Sequence, residues 1–186
     1  MARTIEHFTS SGRQILRLSQ NIAIRLQHDR ITPDHLLLAM ARAADTNAYF
    51  ALQDVDIIEG KLARYLSVVH PASNDHPLRF DGVQFADETQ QLFHLSRIDA
   101  TLRGDDYIAS THLLIGMMRL PNALIDDVLT HFSLDRKTVI KAAEYYFEYS
   151  VEVPKHRIPI ALNETDDPIG CLAALRDALN ALIRKR

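Results

Sequence analysis

Ile31-Thr32-Pro33-Asp34-His35-Leu36-Leu37-Leu38-Ala39-Met40 and Ile108-Ala109-Ser110-Thr111-His112-Leu113-Leu114-Ile115-Gly116-Met117 are two versions of one decapeptide, 77 residues apart. Each sets a histidine at the fifth place and then runs into large aliphatic residues. Sliding the chain by the same offset, with no gap, pairs Phe8 with Phe85, Gln14 with Gln91, Leu18 with Leu95, Ser19 with Ser96 and Ala23 with Ala100. A run of matches that long marks an internal duplication, so the chain is read as one unit built twice.

Each decapeptide reads as a short helix. In the first, Thr32 can cap, Pro33 suits the first turn and Asp34 complements the positive end of the dipole. Apolar on nearly every side, the helix is expected to be the buried centre of its unit. Before it, Ile15, Leu18, Ile22 and Leu26 recur every three or four residues, which predicts an amphipathic helix capped by Thr9, with Arg13, Arg17, Gln20 and Arg25 facing water. After it, helices are expected around Thr46–Leu52 and Ile57–Val69. The second copy repeats the plan with Glu88–Leu102, Thr111–Arg119, Ala123–Phe132 and Arg136–Tyr149, broken by Gly104-Asp105-Asp106, Pro121-Asn122 and Ser133.

The predicted fold is therefore all-α: two pseudo-two-fold-related four-helix repeats, an eight-helix bundle with little or no sheet, and a C-terminal amphipathic helix. Repeat one spans residues 8–70, a Pro, Ser, Asn and Gly-bearing linker 71–84, repeat two 85–149, and an arm with a final helix 150–186.

Composition narrows the function. With 47% hydrophobic and 24% charged residues and a formal net charge of -3, the 186-residue chain reads as a soluble globular protein without the clustered cations that nucleic acid demands. The single Cys171 forms no internal disulfide, and no apolar run approaches a membrane span, so a cytoplasmic setting is expected, with no membrane partner. No Gly-rich phosphate loop is present, since Gly60-Lys61 is followed by Leu62 inside a predicted helix. His35 and His112 start equivalent helices and are read as hydrogen-bonding groups, while His70 and His76 are read as solvated. Ser10-Ser11-Gly12 lacks the setting of a nucleophile elbow. No catalytic set, metal site or cofactor is predicted.

The doubled decapeptide resembles the Thr-Glu-His-Leu-Leu-Leu-Gly-type helix of the amino-terminal repeat of Clp unfoldases. The Phe8-Thr9 opening, His28 and Gly104 fit the same pattern, and the resemblance covers residues 8 to 149. It implies a domain that does no chemistry and binds adaptors, clients or exposed apolar segments. The protein is then expected to be a stand-alone adaptor, accessory subunit or competitor in an unfoldase–protease system, with Clp ATPase, protease, adaptor or client proteins as partners.

In one branch of that family a threonine early in the first helix and the glutamate before the histidine hold phosphoarginine. Thr9 and Asp34 stand at those places in repeat one, with Arg13 beside them, whereas Ala86 and Thr111 stand there in repeat two. Neither of the last two supplies a carboxylate for a guanidinium, so the resemblance implies one candidate pocket, at Thr9, Arg13 and Asp34, and a lost one.

The tail departs from the family. Val151–Ile160 holds two prolines and is read as an extended arm. Asp167 and Pro168 start a helix whose stripe is Ile169, Leu172, Leu175, Leu179, Leu182 and Ile183. That stripe can be covered by the chain's own body, by a second copy in a homodimer, or by a partner. Two other functions compete with the family reading: docking on the Clp proteolytic ring, and helical transcription regulation through DNA.

Overall fold

Thr9 Oγ1 accepts a hydrogen bond from the Gly12 amide at 3.2 Å and starts α1 (Ser10–Arg25), as its place before the apolar stripe predicts. After it come β1 (Arg30–Ile31), α2 (Pro33–Arg42), α3 (Asn47–Asp54, capped by Thr46) and α4 (Glu59–Val69). The second copy gives β2 (Gln84–Phe85), α5 (Asp87–Arg103), α6 (Ser110–Arg119), α7 (Ala123–His131, capped by Asn122) and α8 (Arg136–Glu148). The computed structural model describes residues 7–72 and 84–148, and among these the regular elements are helices apart from the two short strands. The arm 151–160 and the final helix with Leu172, Leu175, Leu179, Leu182 and Ile183 lie outside the described residues, as does His76.

Backbone conformation repeats with the sequence. The non-helical turns after α1 and α5 place Gln27 and Gly104 at positive φ, and those after α3 and α7 do the same to Asp56 and Ser133. Both pairs are separated by 77 residues, so the register read from the decapeptides holds through the turns of each unit. Gly104 takes φ 81° at no steric cost, whereas Gln27 carries a side chain through the same bend.

The two copies are joined by an exchange. Phe8 of the first pairs in parallel with Ile108 of the second, and Phe85 of the second pairs in parallel with Ile31 of the first. The Thr9 amide donates to Ile108 O at 3.0 Å, and its counterpart, the Ala86 amide, donates to Ile31 O at 3.0 Å. Gln84, expected in the linker, instead opposes Arg30 in this seam, because an extended segment beside β1 satisfies backbone groups that a loop would leave to water. Position 12 and its counterpart 89 meet those same carbonyls differently. A Cβ at Gly12 would lie 2.8 Å from Ile108 O, while the Thr89 hydroxyl donates to Ile31 O at 2.7 Å.

α2 and α6 form the centre. Every residue from Pro33 to Ala41 and from Ser110 to Met118 is buried, α1 packs on α2, α5 on α6, and the two central helices touch. Across the copies α3 packs on α8, and Tyr65 of α4 stacks on His131 of α7 with centroids 4.1 Å apart. Burying this much aliphatic surface supplies most of the fold's stability, at about 1.5–3 kcal/mol per large side chain.

Candidate functional site

The same cavity is built twice and finished differently. In repeat one, between α1, α2 and α4, Ile22, Leu26, Leu38, Ala63 and Leu66 wall a space of about 300 Å³, and Asp34, His35 and His70 line it as well. Its counterparts in repeat two are found by the 77-residue offset: Asp99 for Ile22, Arg103 for Leu26, Arg119 for Arg42, Glu144 for Ser67, Phe147 for His70.

There the space is occupied. Asp99 is buried, and Arg103 Nε lies 2.9 Å from its Oδ2 while Arg119 reaches its Oδ1 at 2.9 Å. The Arg103 guanidinium continues to Glu144 at 3.2 Å and lies 4.4 Å over the Phe147 ring. One substitution explains why Arg119 turns inward. Its repeat-one counterpart Arg42 is held by Glu59 at 2.7 Å, and the residue equivalent to Glu59 is Arg136, which offers Arg119 no carboxylate and instead pairs with Asp126 at 2.7 Å and bonds the carbonyls of Met118 and Leu120 at the end of α6.

In repeat one Arg25 and Arg42 line the space, and neither pairs with the carboxylate there. Asp34 is only 2% exposed; its Oδ2 accepts from His70 Nδ1 at 2.7 Å, and its Oδ1 has no hydrogen-bond partner. Burial pushes the Asp34 carboxyl up, but the His70 hydrogen bond, the charges of His35 and His70 and a hydrogen bond from the Thr32 side chain outweigh it and hold the group below its usual value. Asp34 therefore stays a carboxylate. The same hydrogen bond raises His70 against the effect of its own burial. His70 is thus not the solvated loop residue expected from sequence. It caps the end of α4 and folds over the start of α2, where a buried carboxylate needs a proton donor.

His35 and His112 do what their position predicts. Each accepts at Nδ1 from the backbone N–H three residues before it, Thr32 at 3.0 Å and Ala109 at 2.9 Å, which satisfies a donor at the start of the helix. The proton then sits on Nε2 of His35, which donates to His28 Nδ1 at 2.8 Å, and His28 Nε2 donates to Pro71 O at 2.9 Å. Burial drives His35 down to about 4, only partly opposed by Asp34. His112 is also lowered by burial, with Asp105, the counterpart of His28, 3.2 Å from its Nε2.

The residues expected to act together in repeat one are separated. Thr9 is committed to the cap of α1 and to the seam, where its Oγ1 also lies 3.4 Å from Ile108 O, and Arg13 is exposed on α1. Neither lines the cavity that Asp34 faces. Ala86 and Thr111 are buried at the seam and at the start of α6, as helix-end residues. Sequence reading missed His70 and the Asp99–Arg103–Arg119 group. The signal available for the second was its asymmetry, since a buried stripe position that is Ile22 in one copy is Asp99 in the other.

Among the described residues no group of His, Cys, Asp and Glu is placed to hold a metal ion. Asp34 and His70 form an acid–base pair without a nucleophile attached, because Ser67 Oγ donates to Arg64 O at 2.8 Å. Among the described residues no helix is long and apolar enough to cross a membrane.

The family model described as "Clp repeat (R) N-terminal domain" matches residues 7–132. The chaperone protein ClpB of Oceanobacillus iheyensis is 24% identical over 127 residues, covering 68% of this chain and 15% of that protein. The ClpC/MecB negative regulator of genetic competence of Bacillus subtilis matches with the same identity and coverage. The chain thus spans about 15% of the length of these relatives. Among solved structures, the N-terminal domain of ClpD from Arabidopsis thaliana superposes with a TM-score of 0.64 at 19% identity, covering 77% of this chain and 96% of that one. The ClpV N-domain in complex with a VipB peptide gives 0.61 at 11%, covering 80% and 89%.

Proposed function

The chain belongs to the Clp repeat N-terminal domain family, and on that footing we propose that it is a protein-recognition module that binds polypeptide without altering it. It serves a Clp unfoldase–protease system as adaptor, accessory subunit or competitor. The observation that carries this reading is the cavity of repeat one, walled by Ile22, Leu26, Leu38, Ala63 and Leu66 with Arg25, Asp34, Arg42 and His70 among its polar lining, where the equivalent positions of repeat two are taken up by the Asp99–Arg103–Arg119 group. A concave, mostly apolar site with a few fixed polar groups is how a folded domain holds a side chain of another. That the ClpV N-domain was solved with a peptide supports the same use of the scaffold.

The finer reading, phosphoarginine held by Thr9, Arg13 and Asp34, draws no support from this geometry, because Asp34 faces a cavity that the other two do not reach. A DNA regulator would need a helix free to enter a groove, and the helices after the candidate turns are α2 and α6, buried along nearly their whole length. No observation favours docking on the proteolytic ring over handling of clients.

The test is a fluorescence-anisotropy screen of the chain against a peptide library, with mass spectrometry of the peptides afterwards. Saturable binding with every peptide recovered intact is expected. Cleaved or modified peptides, or no binding across the library, would overturn the reading.

A further inference from the structure

α1 carries its charge along one line. Arg13, Arg17, Asn21 and Arg25 stand four residues apart and are all exposed, so they form a single ridge on the solvent side of the helix. From Arg13 to Arg25 the ridge runs about 18 Å, at about 1.5 Å per residue. Among the described residues Arg42, Arg103, Arg119 and Arg136 each sit against a carboxylate, whereas Arg13, Arg17 and Arg25 take part in no ion pair. Asp45, which reaches α1, accepts from Gln14 Nε2 at 2.8 Å instead.

This arrangement works against the helix itself. Like charges four residues apart repel, and α1 has no acid in its first turn, so Arg13 lies near the positive end of the helix dipole with nothing to offset it. Nor does the fold require it. The same ridge on α5 is Gln90, His94, Ile98 and Leu102, behind a first turn that holds Asp87 and Glu88. A line of unpaired cations that costs one copy stability, and that the other copy folds without, points to an anionic partner. The end of the ridge decides which kind. Arg25 lines the repeat-one cavity, whose walls Ile22, Leu26, Leu38 and Leu66 suit an uncharged side chain. A nucleic-acid backbone has no aliphatic group to place there, and three cations on a chain of formal net charge -3 release few counterions. An acidic polypeptide supplies both the charge and the side chain.

We propose that α1 and the cavity at its end together bind an acidic segment of a partner polypeptide. Carboxylates lie along Arg13, Arg17 and Arg25, and an aliphatic side chain at one end of the acidic run enters the cavity. An extended segment covers the ridge in about five or six residues, at about 3.3 Å each. Asp34, buried and paired with His70, meets no part of this segment. The proposal rests on the reading of the chain as a recognition module and names the charge of what it recognises.

Isothermal titration calorimetry of the whole chain tests this with blocked peptides that hold a central leucine between flanks of about six residues, long enough to span the ridge in either direction, in which every second residue is glutamate, glutamine or lysine. The glutamate peptide should bind roughly ten-fold more tightly than the glutamine peptide, with the lysine peptide weaker still, and the advantage should shrink as salt is raised, because exposed charges are screened. Replacing the leucine of the glutamate peptide with asparagine should weaken it. The variant Arg13→Gln, Arg17→Gln, Arg25→Gln should lose the preference for glutamate, whereas Arg97→Gln, Lys137→Gln, Lys141→Gln, an equal change of net charge at exposed positions of repeat two, should keep it. Circular dichroism of both reports whether each is folded. Equal binding of the glutamate and glutamine peptides, a preference that survives in the folded α1 variant or vanishes equally in the repeat-two variant, indifference to the peptide's leucine, or tighter binding of a single-stranded oligonucleotide of matched length would overturn the proposal. If neutral or basic peptides bind best, the acidic assignment falls and the recognition reading stands; if no peptide of any composition binds, both fall.

Discussion

Gly116→Ala should destabilise the protein although it replaces the poorest ordinary helix former with the best. Gly116 lies mid-helix in α6, where alanine is favoured by about 1 kcal/mol on propensity alone. A Cβ there would collide with Ser96 Oγ and sit 2.9 Å from the Ser96 amide nitrogen and 3.1 Å from Leu92 O on α5. Ser96 cannot turn away cheaply. Its hydroxyl is buried and donates to Leu92 O at 2.8 Å, so rotating it leaves a buried polar group without a partner, at about 1–3 kcal/mol. The backbone contacts remain whatever Ser96 does, and forcing the two helices apart adds about 1–3 kcal/mol. The net loss is about 2 kcal/mol or more, a fall in Tm of roughly 5–10 °C. The double variant Ser96→Ala, Gly116→Ala should recover only part of it. Ala39, the counterpart in repeat one, already carries the methyl, so Ala39→Gly should cost about 1–2 kcal/mol through propensity and lost burial. Thermal melts followed by circular dichroism compare the four proteins; a Gly116→Ala variant as stable as wild type, or more so, would refute this account of how α5 and α6 meet.

Acid should weaken the fold through His35. Its imidazole is held neutral down to about 4, against an ordinary 6.5, so the unfolded chain binds the extra proton between those values and stability falls as pH drops through that window, by about 3 kcal/mol in all. His70, raised by Asp34, works in the opposite sense: its contribution is complete below 6.5 and is lost as pH rises through its folded value. Urea unfolding from pH 8 to pH 4 should show a maximum near neutrality, with a flatter acid limb in His35→Gln. Arg103→Leu, which leaves Asp99 with Arg119 alone, should cost about 2 kcal/mol by chemical denaturation, whereas Arg13→Leu on the exposed face of α1 should change stability by less than about 0.5 kcal/mol. Thr9→Ala removes the cap of α1 and should cost about 1 kcal/mol in the same assay.

Most of the architecture was legible because duplication and helical periodicity are written in the order of residues. The offset that aligned His35 with His112 also placed the turns at Gln27 and Gly104, and the caps at Thr9 and Thr46 sit where polar residues precede apolar stripes. The exchanged seam was not legible, since two-residue strands such as Arg30–Ile31 are too short to show alternation. Nor was the cavity. Asp34 reads as a dipole-complementing residue in any first turn, and only three-dimensional packing shows that His70, 36 residues later, supplies its partner. Arg103 likewise looks like a solvated residue near a helix end until Asp99, buried on the same helix, is seen to face it.

The central claim is that one copy of the duplicated unit is open to a partner side chain and the other is filled by its own. Methyl NMR of the chain titrated with its tightest-binding peptide tests this most directly. The account predicts shifts at Ile22, Leu26, Leu38 and Leu66 that saturate at one peptide per chain, with Ile115 and Ile140 of the filled copy unmoved. Shifts confined to Ile115 and Ile140, or a footprint elsewhere that leaves both sets still, would contradict it.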